Sequence, residues 1–315
     1  MLNRRQALSL GLGATAATLA MRLPAASPGF FAAHKQPIGL QLYTVTDAAR
    51  KDLAGSFARI AKIGFKTIEL AGYHGHTPAQ LKAAADRHGL KFSGIHVGAV
   101  ARAPDEPSLS GDIGRLAAEL RQLGITEVTL PMIALPEGAA PAQGESFPDF
   151  FARVIGGMGK DVWHRTATFL NERASLLAKE GLSLSYHNHN IEFAPVAGTT
   201  GWDILFAETD PKRVAFEMDA GWVAAAGRDP LELLKRHAGR IRQMHVKDIK
   251  ASTKANFSMQ QDPTEVGSGS LPWAKLLPAA WDAGVRQFYV EQEPPYTMDR
   301  FDAIEKSFRH LSTLG

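Results

Sequence analysis

The run LSLSYHNHNIEF (residues 182–193) alternates apolar and polar side chains, carries His187 and His189 at its end, and gives way to a loop. Three later runs repeat that design. VAFEMDAGW (214–222) carries Asp219, IRQMHVKDI (241–249) carries His245 and QFYVEQE (287–293) carries Glu291. Strand side chains point to alternate faces, so Ser185, His187 and His189 share one face, as do Glu217 and Asp219. Four neighbouring parallel strands of this kind would bring His187, Asp219, His245 and Glu291 together at one end of a barrel. That end is where barrel enzymes carry their chemistry. Two imidazoles and two carboxylates form a ligand set for one divalent ion, of the Mn²⁺, Zn²⁺, Co²⁺ or Mg²⁺ kind.

Outward from these runs the same alternation covers most of the chain. Strands are expected at 38–45, 66–72, 91–98, 126–133, 182–189, 214–221, 241–249 and 287–293. Amphipathic helical patterns fall between them, at 52–64, 78–89, 110–124, 163–181, 230–239 and 271–284, several ending on a glycine stop. Eight strand–helix units predict an α/β fold of the closed (β/α)₈ TIM-barrel type over residues 34–315. Two connections, 134–159 and 250–270, are longer than a turn requires and are expected to shape a pocket. Phe147, Phe150 and Phe151 make the first of them a candidate lid.

The bulk numbers narrow the function classes. Of 315 residues 45% are hydrophobic and 21% charged, with a net charge of +3, so a large core is available and no basic stripe for nucleic acid stands out. There are no cysteines, which excludes disulfides, thiolate ligands and a cysteine nucleophile. Residues 1–33 are expected to be an export signal and linker. MLNRRQALSLGLGATAATLA pairs Arg4 and Arg5 ahead of a mild apolar run too short to span a bilayer comfortably, with small residues for cleavage at 25–27 and 32–33. NRRQAL resembles a twin-arginine signal, which implies the twin-arginine translocase as a transient partner, a periplasmic address and no membrane anchor after processing.

The order of motifs resembles that of the xylose-isomerase-like superfamily of sugar isomerases and epimerases, which includes endonuclease IV relatives. The resemblance runs from Pro37 to the C terminus. It rests on GLQLYTV at the first strand, GFKTIEL at the second, SGIHVG at the third and the four ligand strands. It implies an ion held by Glu, Asp, His and Glu from strands five to eight. Asp219, His245 and Glu291 match that set, whereas His187 stands where the first glutamate is expected. In sugar epimerases of that family the two glutamates are also the paired bases, and a His often stands where this chain has Trp222. Both departures weaken a two-carboxylate epimerase. The YHNHxxEF pattern resembles exported relatives that cleave 3-keto-glycosides by β-elimination or hydration.

The remaining site candidates follow from position. His189, Glu192 and Lys247 are the expected proton-moving groups, and Glu192 is the alternative to His187 as fourth ligand. Lys247 shares the interior face of His245, with an ion pair to Asp248 or Glu293 as its plain structural role. Glu69, His96, Trp222 and Glu293 are expected to contact substrate, Trp222 as an apolar wall for a sugar ring. His74 and His76, in GYHGHTP, read more readily as polar surface than as ligands. The expected function is a metal-dependent sugar isomerase or epimerase that takes a proton from beside a carbonyl. A keto-glycoside lyase or hydratase on the same site is the alternative. An endonuclease IV-like phosphodiesterase would need more ligands and a cationic face, and a plain sugar-binding protein would not need His189, Lys247 and Glu293.

Overall fold

The computed structural model describes residues 28–314 apart from 102, 104, 105 and 137. The paired arginines and apolar run of the expected export signal lie outside the described residues. Eight parallel strands close into a barrel: β1 (Gly39–Gln41), β2 (Thr67–Ala71), β3 (Lys91–His96), β4 (Glu127–Leu130), β5 (Ser183–His187), β6 (Val214–Asp219), β7 (Ile241–Val246) and β8 (Gln287–Val290). The ring is sealed where Gly39 and Leu40 pair with Tyr289 and Val290. All eight expected strands form, most of them shorter than the apolar runs suggested. At β1, for example, the chain turns into a 3₁₀ segment at Leu42–Val45.

Alternation along each strand sorts the two faces. On β6 Phe216 packs outward, its ring centroid 3.9 Å from that of Phe206 on the helix Gly201–Glu208, while Glu217 points inward and reaches His96 across the barrel. The outward residues and the helices form the main apolar layer. The interior is polar for a barrel, with Gln41, Glu69, Thr129, Ser185, Glu217 and Gln243 all buried. Such groups are tolerated inside only when they bond one another.

The six expected helices are present to within three residues at their ends. The units after β5 and β8 are completed by Gly201–Glu208 and Arg300–Thr313. The long connection after β4 contains a helix, Phe147–Met158, whose Phe150 and Phe151 are buried, so that stretch is an ordered wall. In the connection after β7, the Asp248 carboxylate collects the N–H groups of Gly267, Gly269 and Leu271 and the Trp273 indole at 2.9–3.2 Å. Asp248 is thereby committed to loop closure and is not the partner of Lys247. GSGS (267–270) wraps this carboxylate, and a Cβ on Gly269 would lie 2.1 Å from Asp248 Oδ1.

The packed body begins before residue 34. Phe30 and Phe31, in a short helix Phe30–Ala33, are buried with ring centroids 5.7 Å from Phe288, and the Phe30 N–H donates to Leu314 O at 2.7 Å. Processing at 32–33 would strip two core side chains. Each is worth roughly 1.5–3 kcal/mol on burial. A chain starting at His34 should therefore unfold at lower denaturant than one starting at Pro28, by about 3–6 kcal/mol in total. Equal midpoints would show that the two rings contribute nothing.

The GYHGHTP loop departs from the surface reading. His74 is buried, has φ of 55°, and its Nε2 accepts the Ala71 N–H at 3.2 Å. Burial, with Arg50 and His76 adding to it, lowers its pKa to about 3. The folded state thus holds this ring neutral while the unfolded chain protonates it near its ordinary value of 6.5. Stability supplied by the neutral ring is complete above that ordinary value and drains away as the pH falls toward about 3. His74→Asn, which tolerates a left-handed backbone, should flatten the acid limb of a stability–pH curve. An unchanged limb would assign the acid loss elsewhere.

Candidate active site

Asp219 closes β6 and caps the short helix Ala220–Ala225 by accepting the Trp222 N–H on Oδ1 at 2.9 Å. The Asp219 N–H donates to Asn188 Oδ1 at 3.1 Å, which ties the ends of β5 and β6 together. The Trp222 contact fixes the carboxylate so that Oδ2 faces inward and is buried. Around Oδ2 stand Lys247 Nζ at 2.7 Å, His245 Nδ1 at 3.8 Å and His187 Nε2 at 4.0 Å. Glu291 Oε2 lies 2.9 Å from His245 Nδ1 and 2.7 Å from Lys247 Nζ. The structure therefore gives Asp219, His245 and Glu291 the spacing of a group that can hold a metal ion, with His187 Nε2 beside them, while His187 itself has that spacing with His96, Glu217 and His245.

Directly beneath lies a second set built on Glu217, which the sequence reading placed on the Asp219 face without assigning it a role. Its Oε2 is 2.7 Å from His96 Nε2, 2.9 Å from His187 Nδ1 and 3.3 Å from His245 Nε2. Glu69 Oε2 accepts from Gln41 Nε2 at 2.8 Å and faces His245 Nε2 at 2.7 Å. The contact to Glu217 fixes the tautomer of the neutral His187 ring. With Nδ1 of His187 donating to Glu217, its Nε2 keeps a lone pair toward Asp219. His245 faces a carboxylate on each nitrogen, Glu69 at Nε2 and Glu291 at Nδ1, so without an ion the ring donates from both, and with Nε2 held by Glu69 a bound cation would take the place of the Nδ1 proton. An imidazole held from behind by a carboxylate is the usual arrangement of a metal-ligating histidine.

The electrostatics ask for a cation. Among the described residues, four buried carboxylates (Glu69, Glu217, Asp219, Glu291) and the half-buried Glu293 are served by one ammonium, Lys247, which pairs with Asp219, Glu291 and Glu293. Burial alone would lower the pKa of His245, but the facing Glu217 and Glu291 outweigh it and hold the ring well above its ordinary value. His96 is raised in the same way by Glu69 and Glu217. Protons thus gather where positive charge is short. Burial raises Glu69 to about 7, with the like charge of Glu217 adding to it. His187 is different: burial and the neighbouring His245 lower it to about 3, the neutral state that a ligand requires. The donor set, with each imidazole held from behind by a carboxylate, fits a divalent ion.

A cavity of about 530 Å³ opens above the cluster, its walls including His96, His187, His189, Trp222, Glu291 and Glu293. His189 lies on the wall with its ring 5.0 Å from His187 and 5.5 Å from Trp222, and its Nδ1 has no partner among the described residues. Burial, helped by His187 and Lys247, keeps it neutral. Lys247 bridges Asp219, Glu291 and Glu293, and the Trp222 indole N–H donates to Glu293 Oε1 at 3.0 Å.

Three expected residues are placed apart from the cavity, the first being Lys247, fully buried behind Glu293. Glu192 is turned into the wall, where its Oε1 accepts the Tyr186 hydroxyl at 2.7 Å and its Oε2 the His189 N–H at 2.8 Å. That leaves it no lone pair aimed at the cluster, and it shapes the His189 loop instead. Glu69 sits below His96 and His245, fully buried, and reaches the cavity only through them.

A closed parallel barrel with a charged, ligand-rich floor at the C-terminal ends of its strands is an enzyme architecture. The sequence pattern of the xylose isomerase-like TIM barrel family matches residues 57–314, and the chain belongs to that family. Among curated relatives, an inosose dehydratase of Geobacillus thermodenitrificans is 29% identical over 148 residues, 43% of this chain and 49% of the relative. The chain thus spans about half the length of that relative. A sugar phosphate isomerase/epimerase structure from Parabacteroides distasonis shares the fold with a TM-score of 0.68 at 22% identity, covering 87% of this chain and 97% of the other. A xylose isomerase-like TIM barrel protein from Mycobacterium smegmatis, solved with magnesium, superimposes with a TM-score of 0.61 at 16% identity over 89% and 96% of the two chains. The family match and the dehydratase relatives agree with the site: this chain is an enzyme.

Proposed function

We propose that the chain is a divalent-metal-dependent enzyme that takes a proton from the carbon beside a carbonyl of a carbohydrate or keto-sugar, after which a β-positioned substituent leaves. The observation that carries this reading is the meeting of four donors, His187 Nε2, Asp219 Oδ2, His245 Nδ1 and Glu291 Oε2, beside a neutral imidazole on the cavity wall. When bound there, a divalent ion supplies Lewis-acid polarisation of the carbonyl. The set of two imidazoles and two carboxylates suits Mn²⁺, Zn²⁺ or Co²⁺, with Mg²⁺ as the hard alternative.

In this reading His189 accepts the proton, the C–H electron pair moves into the carbonyl, and its return expels the leaving oxygen with cleavage of the C–O bond. Lys247, buried behind Glu293, supplies a proton to that oxygen through Glu293 at the cavity edge. His96, raised by the two carboxylates below it, donates a hydrogen bond to the substrate. Trp222 packs against the sugar and excludes water.

Isomerisation or epimerisation is the second reading, supported by the fold shared with the Parabacteroides protein. It would return the proton to the neighbouring position or the opposite face. Inversion of a carbon needs a base on each face, and Glu192, held by Tyr186, is turned away from the cavity and is not the second base beside His189. That, with the dehydratase relatives, favours elimination. Incubation of the metal-loaded protein with 3-keto-glycosides and free ketoses in D₂O separates the outcomes. Release of water or aglycone supports elimination, and deuterium uptake without cleavage supports isomerisation. Neither, with phosphodiester hydrolysis in its place, would overturn the carbohydrate reading.

We also propose that the enzyme works in the periplasm after passage through the twin-arginine translocase, on the strength of NRRQAL at residues 3–8. Replacing Arg4 and Arg5 with lysines should trap the protein in the cytoplasmic fraction. Unchanged fractionation would remove this address.

A further inference from the structure

The cavity is chemically divided. Its ionisable lining is concentrated at the ends of β5, β6 and β8, as His187, His189, Glu291 and Glu293 with Trp222 between them, and His96 adds to it from the end of β3. The loops that follow β3 and β4, which are adjacent strands, contribute Val100, Pro107, Met132, Phe147 and Pro148, and Met259 joins them from the loop after β7. Val100 and Phe147 are 55% and 45% exposed, while Met132 at 7% lines the deeper part. The loop after β3 also carries Glu106, whose carboxylate is turned to accept the Tyr73 N–H at 2.9 Å, and Arg50 stands on the short helix after β1.

A bare sugar carries hydroxyls around its whole rim, and each one placed against an apolar wall loses a hydrogen bond to water with no replacement. A half-apolar cavity is therefore a poor match for a free monosaccharide. Its volume of about 530 Å³ lies within the usual range for drug-sized ligands, about 300–1,000 Å³. Exposed apolar side chains gathered at a cavity mouth mark a binding surface. We propose that the loops after β3 and β4 form a subsite for an apolar, flat aglycone, so that the substrate is a glycoside whose sugar rests on the charged floor while its aryl substituent lies against Met132 and Phe147. This rests on the carbohydrate reading given above, and it makes the leaving group of the elimination the part that these loops recognise.

The test is equilibrium binding of phenyl and methyl β-D-glucoside to the full-length, Mn²⁺-loaded protein by calorimetry. Neither compound is a ketone, so neither needs to react. The phenyl glucoside should bind at least about tenfold tighter, the factor that about 1.4 kcal/mol supplies. Phe147→Ala and Val100→Ser should erase most of that advantage while leaving the methyl glucoside unchanged. Equal affinities in the wild type, no binding of the phenyl glucoside, or a gap untouched by both substitutions would overturn the subsite. If the phenyl preference is present while keto-glycosides and ketoses show no chemistry in D₂O, the subsite stands and the proposed reaction falls. If chemistry is seen without the preference, the reverse holds.

Discussion

Replacing Lys247 with methionine should cost the metal-free protein about 3–5 kcal/mol, the usual penalty for stranding buried partners of an ion pair. The reason is local. Its ammonium lies 2.7 Å from both Asp219 Oδ2 and Glu291 Oε2 and also bonds Glu293, so removal leaves three carboxylates facing one another. For a domain of this size each kcal/mol is worth roughly 2–4 °C in Tm. Adding Mn²⁺ should restore most of the loss, because a dication at the same carboxylates replaces the missing charge. The Tm gain on adding metal should accordingly be larger in the variant than in the wild type, while turnover is lost. Equal Tm values for variant and wild type without metal would show that Lys247 does not neutralise this cluster.

Glu217→Gln is the second large effect. The carboxylate oxygen that receives His96 and His187 becomes an amide, which accepts more weakly and carries no charge. His187 is then free to adopt the other tautomer and turn a proton, in place of a lone pair, toward Asp219. Loss of such a supporting carboxylate typically lowers metal affinity about 10–100-fold. The fold should survive, since Gln matches Glu in volume and the apolar layer is untouched. Titration of Mn²⁺ followed by electron paramagnetic resonance measures the change. An affinity within twofold of wild type would remove Glu217 from the positioning role.

The barrel was legible because its evidence is local. Each strand is a short apolar run, each inter-strand helix has an apolar stripe, and both signals survive without tertiary information. The meeting of His187, Asp219, His245 and Glu291 was legible for a related reason: each stands at or just past the end of its strand, and a closed parallel barrel sends all such ends to one mouth. Glu217 was not legible as a hub. A glutamate two residues before Asp219 could cap, ligate or bridge, and only barrel closure places it against His96, 121 residues earlier in the chain. The fate of Glu192 was hidden in the opposite way. Its partners, the Tyr186 hydroxyl and the His189 N–H, are close in sequence, but the turn that delivers them depends on how the loop after β5 folds back. Phe30 and Phe31 lay next to a signal-like segment, and their burial depends on Phe288, at the far end of the chain.

The central claim is that the ends of β5 to β8 aim four donors at one cation. The most direct measurement is anomalous diffraction at the manganese edge from crystals of the full chain loaded with Mn²⁺. The expected result is one strong peak within bonding distance of His187 Nε2, Asp219 Oδ2, His245 Nδ1 and Glu291 Oε2. A map with no peak among these four atoms, or with the ion bound elsewhere, would contradict it.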